Sequence, residues 1–154
     1  MVRRSEAADA KAISDLIVHT LRTSNIKDYT PELMEQLVQT MQPDDILKRA
    51  SWTHMYVAVD DNEIVGCGAI GPYWGKEDES SLFTIFVLPE RQGSGVGRAI
   101  VEALENDEYA LRAKRIEVPA SITGLGFYRK MGYDYKNCMT EPDEELLYRL
   151  EKFR

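Results

Sequence analysis

The part of this chain best equipped for chemistry is the run Phe86-Val87-Leu88-Pro89-Glu90-Arg91-Gln92-Gly93-Ser94-Gly95-Val96-Gly97-Arg98-Ala99. A strand-like stretch ends at a proline, glycines alternate at 93, 95 and 97, and a helical pattern begins without a break. Such a junction presents consecutive backbone N–H groups at a helix N-terminus, with no side chains to obstruct them. With the positive end of the helix dipole, about half a unit charge, these donors suit a phosphate or pyrophosphate. Arg91 and Arg98 flank the turn and add positive charge. Two familiar phosphate loops fail on named residues. A Walker A loop needs Gly-Lys-Ser/Thr, whereas Gly97 is followed by Arg98-Ala99. A dinucleotide fingerprint needs glycine where Arg98 stands, because a side chain there obstructs close helix–strand packing.

Composition narrows the classes further. The 154 residues hold 19 Lys and Arg against 26 Asp and Glu, a formal net charge of −7. With no basic tail, nucleic-acid binding by phosphate neutralisation is disfavoured. No apolar run approaches a membrane span, and the opening Met1-Val2-Arg3-Arg4-Ser5-Glu6 carries no signal-peptide core. Only His19 and His54 are present, and Cys67 and Cys138 form no CxxC, so no metal-ligand set is expected. The expectation is one cytoplasmic, metal-free domain over residues 1–154, with no membrane or nucleic-acid partner.

The glycine turn needs a scaffold, and the hydrophobic pattern outlines one. Ala7, Ile13, Leu16, Ile17 and Leu21 recur at helical spacing, which predicts a first helix over 8–23. Thr30 is placed to cap a second helix with Pro31 in its first turn, and a short third spans 44–50. Strands are expected over 55–59 and 64–73, joined by the polar turn 60–63, and a loop over 74–79 leads to a strand over 82–88. After the glycine turn, Val96, Ile100, Val101, Leu104 and Leu111 mark a helix. A strand over 115–118, a short helix over 124–131 and closing strands over 133–138 and 146–150 complete the order. This alternation describes a mixed-sheet α/β domain rather than a doubly wound one.

The segment Gln92-Gly93-Ser94-Gly95-Val96-Gly97 resembles the acyl-CoA pyrophosphate loop, Gln-x-x-Gly-x-Gly, of the GNAT superfamily of N-acyltransferases. A second match follows downstream: Ile116-Glu117-Val118, then Ser121, then Phe127-Tyr128-Arg129-Lys130-Met131-Gly132-Tyr133 looks like that superfamily's closing signature. The resemblance implies an α/β (α+β) fold: a mixed, mostly antiparallel twisted sheet with a splayed central strand pair and helices on both faces. It implies that acetyl-CoA, as co-substrate, lies in the V-shaped opening between the strands at 82–88 and 115–118. The pantetheine would pair with the backbone of Ile85, Phe86 and Val87, and the pyrophosphate would rest on Gln92, Gly93, Ser94, Gly95, Val96, Gly97 and Arg98. Ser121 stands within a residue of a position where relatives often carry an Asn that contacts the cofactor. Homodimerisation is common in proteins resembling this one.

In such enzymes an acceptor amine attacks the thioester directly, and the resemblance places Tyr128 as the general acid. A phenol with a pKa of about 10 keeps its proton at neutral pH and can pass it to a thiolate whose conjugate acid lies near about 8.5. An alkylammonium of pKa about 10.4 is neutral in only about one part in 2,500 at pH 7, a deficit of about 4.6 kcal/mol, so a base helps. Relatives place a carboxylate near the position of Ser81, which is no ordinary base. Glu79, two residues earlier, and Glu117, on the following strand, are the two candidates, with Glu117 ranked first and a water relay open to either. The acceptor is expected to be a primary amine of a small molecule or peptide, and the acidic balance favours a cationic one. Two rivals stand beside this reading. One is a non-catalytic acyl-CoA sensor of the same fold, and the other is a phosphosugar- or nucleotide-binding protein that uses the glycine turn alone.

Overall fold

The computed structural model describes residues 1–154. Its strands are β1 (Val2–Arg4), β2 (His54–Asp60), β3 (Glu63–Tyr73), β4 (Lys76–Val87), β5 (Arg115–Ser121), β6 (Asp134–Tyr135) and β7 (Leu147–Phe153). They form one sheet in the order β1-β2-β3-β4-β5-β7-β6, antiparallel at every junction except β4–β5. The helices are α1 (Ala10–Thr23), α2 (Pro31–Gln39), α3 (Pro43–Ala50), α4 (Val96–Glu105), α5 (Glu108–Leu111) and α6 (Leu125–Lys130).

Side chains alternate across a strand, and β2, β3 and β4 divide their apolar residues between two cores. Met55, Val57, Cys67 and Ala69 pack with Ile13 and Leu16 of α1, Met34 of α2 and Ile46 of α3. Ile70, Leu82, Ile116 and Val118 pack with Ile100 and Leu104 of α4, Ala110 of α5 and Tyr128 of α6. Helices therefore cover both faces. Local chemistry sets their ends: Leu33 N–H donates to Thr30 Oγ1 at 3.2 Å ahead of Pro31, and Tyr109 N–H donates to Asp107 at 2.9 Å to start α5.

Three expectations change. The polar run 74–79 is not a loop, because Trp74-Gly75 alone make the turn and β4 begins at Lys76. Its charges are strand residues with partners: Asp78 meets Lys114 at 2.7 Å, and Glu79 lies beside Arg115 in the β4–β5 register. The single helix expected from Val96 to Leu111 breaks at Asn106-Asp107, where the Asp107 cap opens α5. The strand expected over 133–138 shrinks to Asp134–Tyr135, since Asn137 and Cys138 sit at φ 53° and 59°, which ends pairing, while β7 extends to Phe153.

The feature that positions the site is the parting of β4 from β5. They share only Glu79↔Arg115, Ser80↔Ile116 and Ser81↔Glu117. Beyond that fork β4 stays with β3 as far as Val87, and β5 stays with β7 as far as Ser121. A bulge at Thr84, φ 54°, with a register shift between Cys67 and Ala69, bends β4 away.

Candidate active site

Below the splay, Pro89–Arg91 forms a 3-10 turn, and α4 starts behind Gly95. Gly93 and Gly95 lie at φ 80° and 92°, with open space where a Cβ would be, so they are glycines for backbone reasons. Gly97 is a glycine for a different reason: a Cβ there would stand 3.1 Å from the Phe127 ring. The backbone N–H groups of residues 93–98 donate to nothing within the chain, and the first helical bond runs from Ala99 to Gly95 at 3.0 Å. Six consecutive donors at a helix start thus face outward, which is the arrangement an oxygen-rich anion requires.

The turn is anchored from three sides. Arg91 pairs with Asp60 of β2, Glu90 meets His19 of α1 at 2.9 Å, and Gln92 Nε2 donates to Val87 O at 3.2 Å. Arg91 is therefore turned toward Asp60, and Arg98, loosely placed 3.9 Å from Glu102, is the more available flanking cation. Ile85, Phe86 and Val87 line the splayed part of β4 half-buried, their far edge unpaired with β5.

Tyr128 is buried in α6, its ring against Phe127 at 5.2 Å and Tyr133 at 6.4 Å. Its hydroxyl has no partner in the chain, yet no fully sealed side-chain polar atom goes unpartnered, so that oxygen keeps a narrow opening. Burial raises the phenol above its ordinary pKa, so it stays protonated at neutral pH. Ser121, at the end of β5, accepts from Gly124 N–H at 3.0 Å and shapes the turn into α6.

The two carboxylates stand at the fork, inside an ion network. Arg115 gives Nη1 to Glu79 at 2.8 Å, Nε to Glu151 at 2.7 Å and Nη2 to Glu117. Burial works against the Arg115 charge, but the hydrogen bonds it donates to Glu151 and Glu117 outweigh it and hold the guanidinium above its ordinary pKa. Lys136 Nζ lies 2.8 Å from Glu117 and 3.2 Å from Tyr73 OH, and Arg149 approaches the other Glu117 oxygen at 3.9 Å. Glu79 also meets Lys76 at 3.5 Å. Glu79 is thus a half-buried strand partner rather than a solvated loop charge, and Glu117 is buried. Lys136 and Arg149 escape sequence reasoning. Tyr29 OH donates to Leu146 O at 2.8 Å and accepts from Ile122 N–H at 2.9 Å, tying the α1–α2 connection over the end of β5. The alternation Arg115/Glu117 and Arg149/Glu151 on neighbouring strands is the one sequence signal for the network, and it needs the register to be read.

Fold and site together define a mixed-sheet protein with a glycine turn of unpartnered amides beside an open strand edge. Residues 51–135 match the acetyltransferase (GNAT) domain family, and the chain belongs to that family. It is similar to a GCN5-related N-acetyltransferase from Rhodopseudomonas palustris, with a TM-score of 0.81 at 22% identity, covering 100% of this chain and 95% of that one. PaiA N-acetyltransferase from Thermoplasma acidophilum, in complex with coenzyme A, gives a TM-score of 0.84 at 14% identity, covering 100% and 98%. A Mycobacterium tuberculosis protein in complex with CoA gives 0.64 at 20%, covering 100% and 99%. No curated protein sequence matches the chain. No helix is long and apolar enough to cross a membrane.

Proposed function

We propose that this chain, acting as one domain, is an N-acetyltransferase that moves the acetyl group of acetyl-CoA to a primary amine of a small molecule or peptide by direct attack. The observation that carries this reading is the row of six unpartnered N–H groups from Gly93 to Arg98, next to a β4 edge left open by the splay. A pyrophosphate matches the first, and the amides of an extended pantetheine arm match the second. Gln92 and Arg98 border the turn, Ile85, Phe86 and Val87 offer the edge, and Ser121 stands across the opening.

Tyr128 is the proposed acid. Its unpartnered, barely exposed hydroxyl is free to donate to the sulfur as the tetrahedral adduct collapses. Burial raises the pKa of the phenol, so it holds its proton at neutral pH until the leaving thiolate takes it. Glu117 is the proposed base, acting through water, since it occupies the last paired position before the strands part. Its carboxylate is already engaged by Arg115 and Lys136, and Glu79 likewise by Arg115 and Lys76. That observation favours a second reading, a protein that holds acyl-CoA without turning it over.

Calorimetric titration with CoA, paired with thiol release from acetyl-CoA over a panel of amines, separates the readings. Transfer predicts both binding and release. Binding with no release on any amine establishes the sensor, and no binding at all removes both.

A further inference from the structure

Half-buried cations in this protein have carboxylates beside them: Arg3 has Asp9, Arg91 has Asp60, Lys136 has Glu117, Arg149 has Asp143 and Lys152 has Glu105. Arg49 is the exception. It is half-buried and pairs with no acidic group, and its one side-chain hydrogen bond is a long one, Nη1 to Thr84 Oγ1 at 3.5 Å. Elsewhere in the chain, cations without a carboxylate are all exposed. A guanidinium carries five N–H donors, so most of those on Arg49 are unanswered at a place partly withdrawn from water, which is costly unless a ligand meets them. The helix dipole does not explain the placement, because Lys48 in the same last turn of α3 answers that C-terminus from open solvent. Arg49 is held inward by its backbone: its carbonyl oxygen accepts from Trp52 N–H at 3.3 Å and from the hydroxyl of buried Thr53 at 2.8 Å.

Thr84 places this charge along the coenzyme. It immediately precedes Ile85, Phe86 and Val87, the proposed pantetheine edge, and the glycine turn lies beyond Val87. The phosphates therefore belong at the far end, and Arg49 stands at the acyl end, close to the fork at Ser81 and Glu117. We propose that Arg49 receives the carboxylate of the acceptor, and that the acceptor is an α-amino acid. This rests on the acetyl-transfer reading above. A guanidinium fork takes a carboxylate through two parallel hydrogen bonds. Because Arg49 lies beside the acyl end, the carboxylate and the attacking amine must be only a few bonds apart, as they are in an α-amino acid. Trp52, 48% exposed and set edge-on to Phe83 at 5.2 Å, offers an apolar wall beside it for the amino acid's side chain. The net charge of −7 favours a cationic acceptor, but the unanswered charge at this end of the site is positive. In the transfer the neutral amine forms its N–C bond to the acetyl carbon, the C–S bond breaks with its electron pair on sulfur, the nitrogen loses one proton and the sulfur gains one. The carboxylate is unchanged throughout.

A panel of α-amino acids, each beside its primary amide, reads this through thiol release from acetyl-CoA. Wild type is expected to favour at least one acid over its amide by about tenfold or more in kcat/KM. Arg49→Met is expected to shrink that preference about tenfold, chiefly through KM for the acid, and Arg49→Lys, which keeps the charge and loses the fork, about threefold. A general distortion of α3 would lower acid and amide alike and leave their ratio standing. Amines acylated with no preference for acid over amide, or a preference that survives Arg49→Met, overturn the assignment. Calorimetric titration of the CoA-loaded protein with the same acids reads the carboxylate without turnover, and Arg49→Met is expected to weaken that binding about tenfold. A wild type that holds CoA and acylates no amine sinks the transfer reading instead, while the titration still decides whether Arg49 takes a carboxylate.

Discussion

Gly97 and Phe127 touch: a Cβ added to Gly97 would stand 3.1 Å from two carbons of the Phe127 ring. Phe127 immediately precedes Tyr128 and packs against it edge-on. The first turn of α4, which carries the outward-facing amides, is thereby set directly against α6, which carries the proposed acid. One missing side chain couples the glycine turn to α6.

Gly97→Ala is therefore expected to displace Phe127 and lower both stability and turnover. Gly95→Ala acts differently, costing about 1–2 kcal/mol through its left-handed conformation alone, with no clash. Gly95→Glu would put a carboxylate among the free amides and should weaken CoA binding at least tenfold, about 1.4 kcal/mol. Thermal melts and calorimetric titration of the three variants test this; unchanged CoA affinity in Gly95→Glu would falsify the assignment of the turn.

Tyr128→Phe keeps the ring and its packing and removes only a hydroxyl that bonds to nothing in the chain. The melting temperature should barely move, because no buried partner is stranded. Turnover should fall by at least tenfold with KM for acetyl-CoA little changed. Steady-state kinetics beside a melting curve decide it, and full activity would assign the acid to another group or to water.

Arg115 holds three carboxylates, and its side chain is only 9% exposed. Arg115→Met would strand Glu79, Glu117 and Glu151 together, with an expected loss of about 3–5 kcal/mol in denaturant titration. The single carboxylate changes are milder in stability and more telling in kinetics. Glu117→Gln should remove the acidic limb of the pH–rate profile, and Glu79→Gln should leave it in place. If both limbs survive, neither carboxylate takes the proton and solvent does.

Asp107 joins β2 to α5, accepting from Tyr56 OH at 2.6 Å and facing His54 Nδ1 at 2.9 Å. Burial opposes its charge, but the Tyr56 phenol, the Tyr109 N–H and His54 outweigh that and lower its pKa below the ordinary 3.8. Since the folded value lies below the unfolded one, the stability it lends is complete above about pH 5 and drains away as the pH falls below about 4. Melting temperatures of wild type and Asp107→Asn should differ by a constant amount from about pH 5 to 7 and converge in acid. A gap that widens in acid would contradict this sign.

Much of the site was legible as sequence. The glycine turn, its place between a strand and a helix, and the exclusion of Walker and dinucleotide loops follow from Gln92 to Ala99, because backbone conformation there depends on residues within one turn. The order of elements followed from hydrophobic period for the same reason. Tyr128 could be singled out only through a motif resemblance, since nothing local distinguishes it from a core aromatic.

Errors fell where local polarity misleads. The run 74–79 reads as loop from its charges, yet Asp78 pairs with Lys114 and Glu79 with Arg115, each more than thirty residues distant, and the chain from Lys76 is strand. The same pairing makes Glu79 a half-buried strand partner of Arg115.

What the amino-acid order determines unaided is the short-range chemistry: which backbone stretch must be bare of side chains, where helices are capped, which strands carry two apolar faces. Tertiary structure alone decides where β4 leaves β5, which cations surround Glu117, and that Cys67 lies under the Thr84 bulge. Each of these is a relation between residues brought together by strand register, and register is an outcome of packing both faces of the sheet at once.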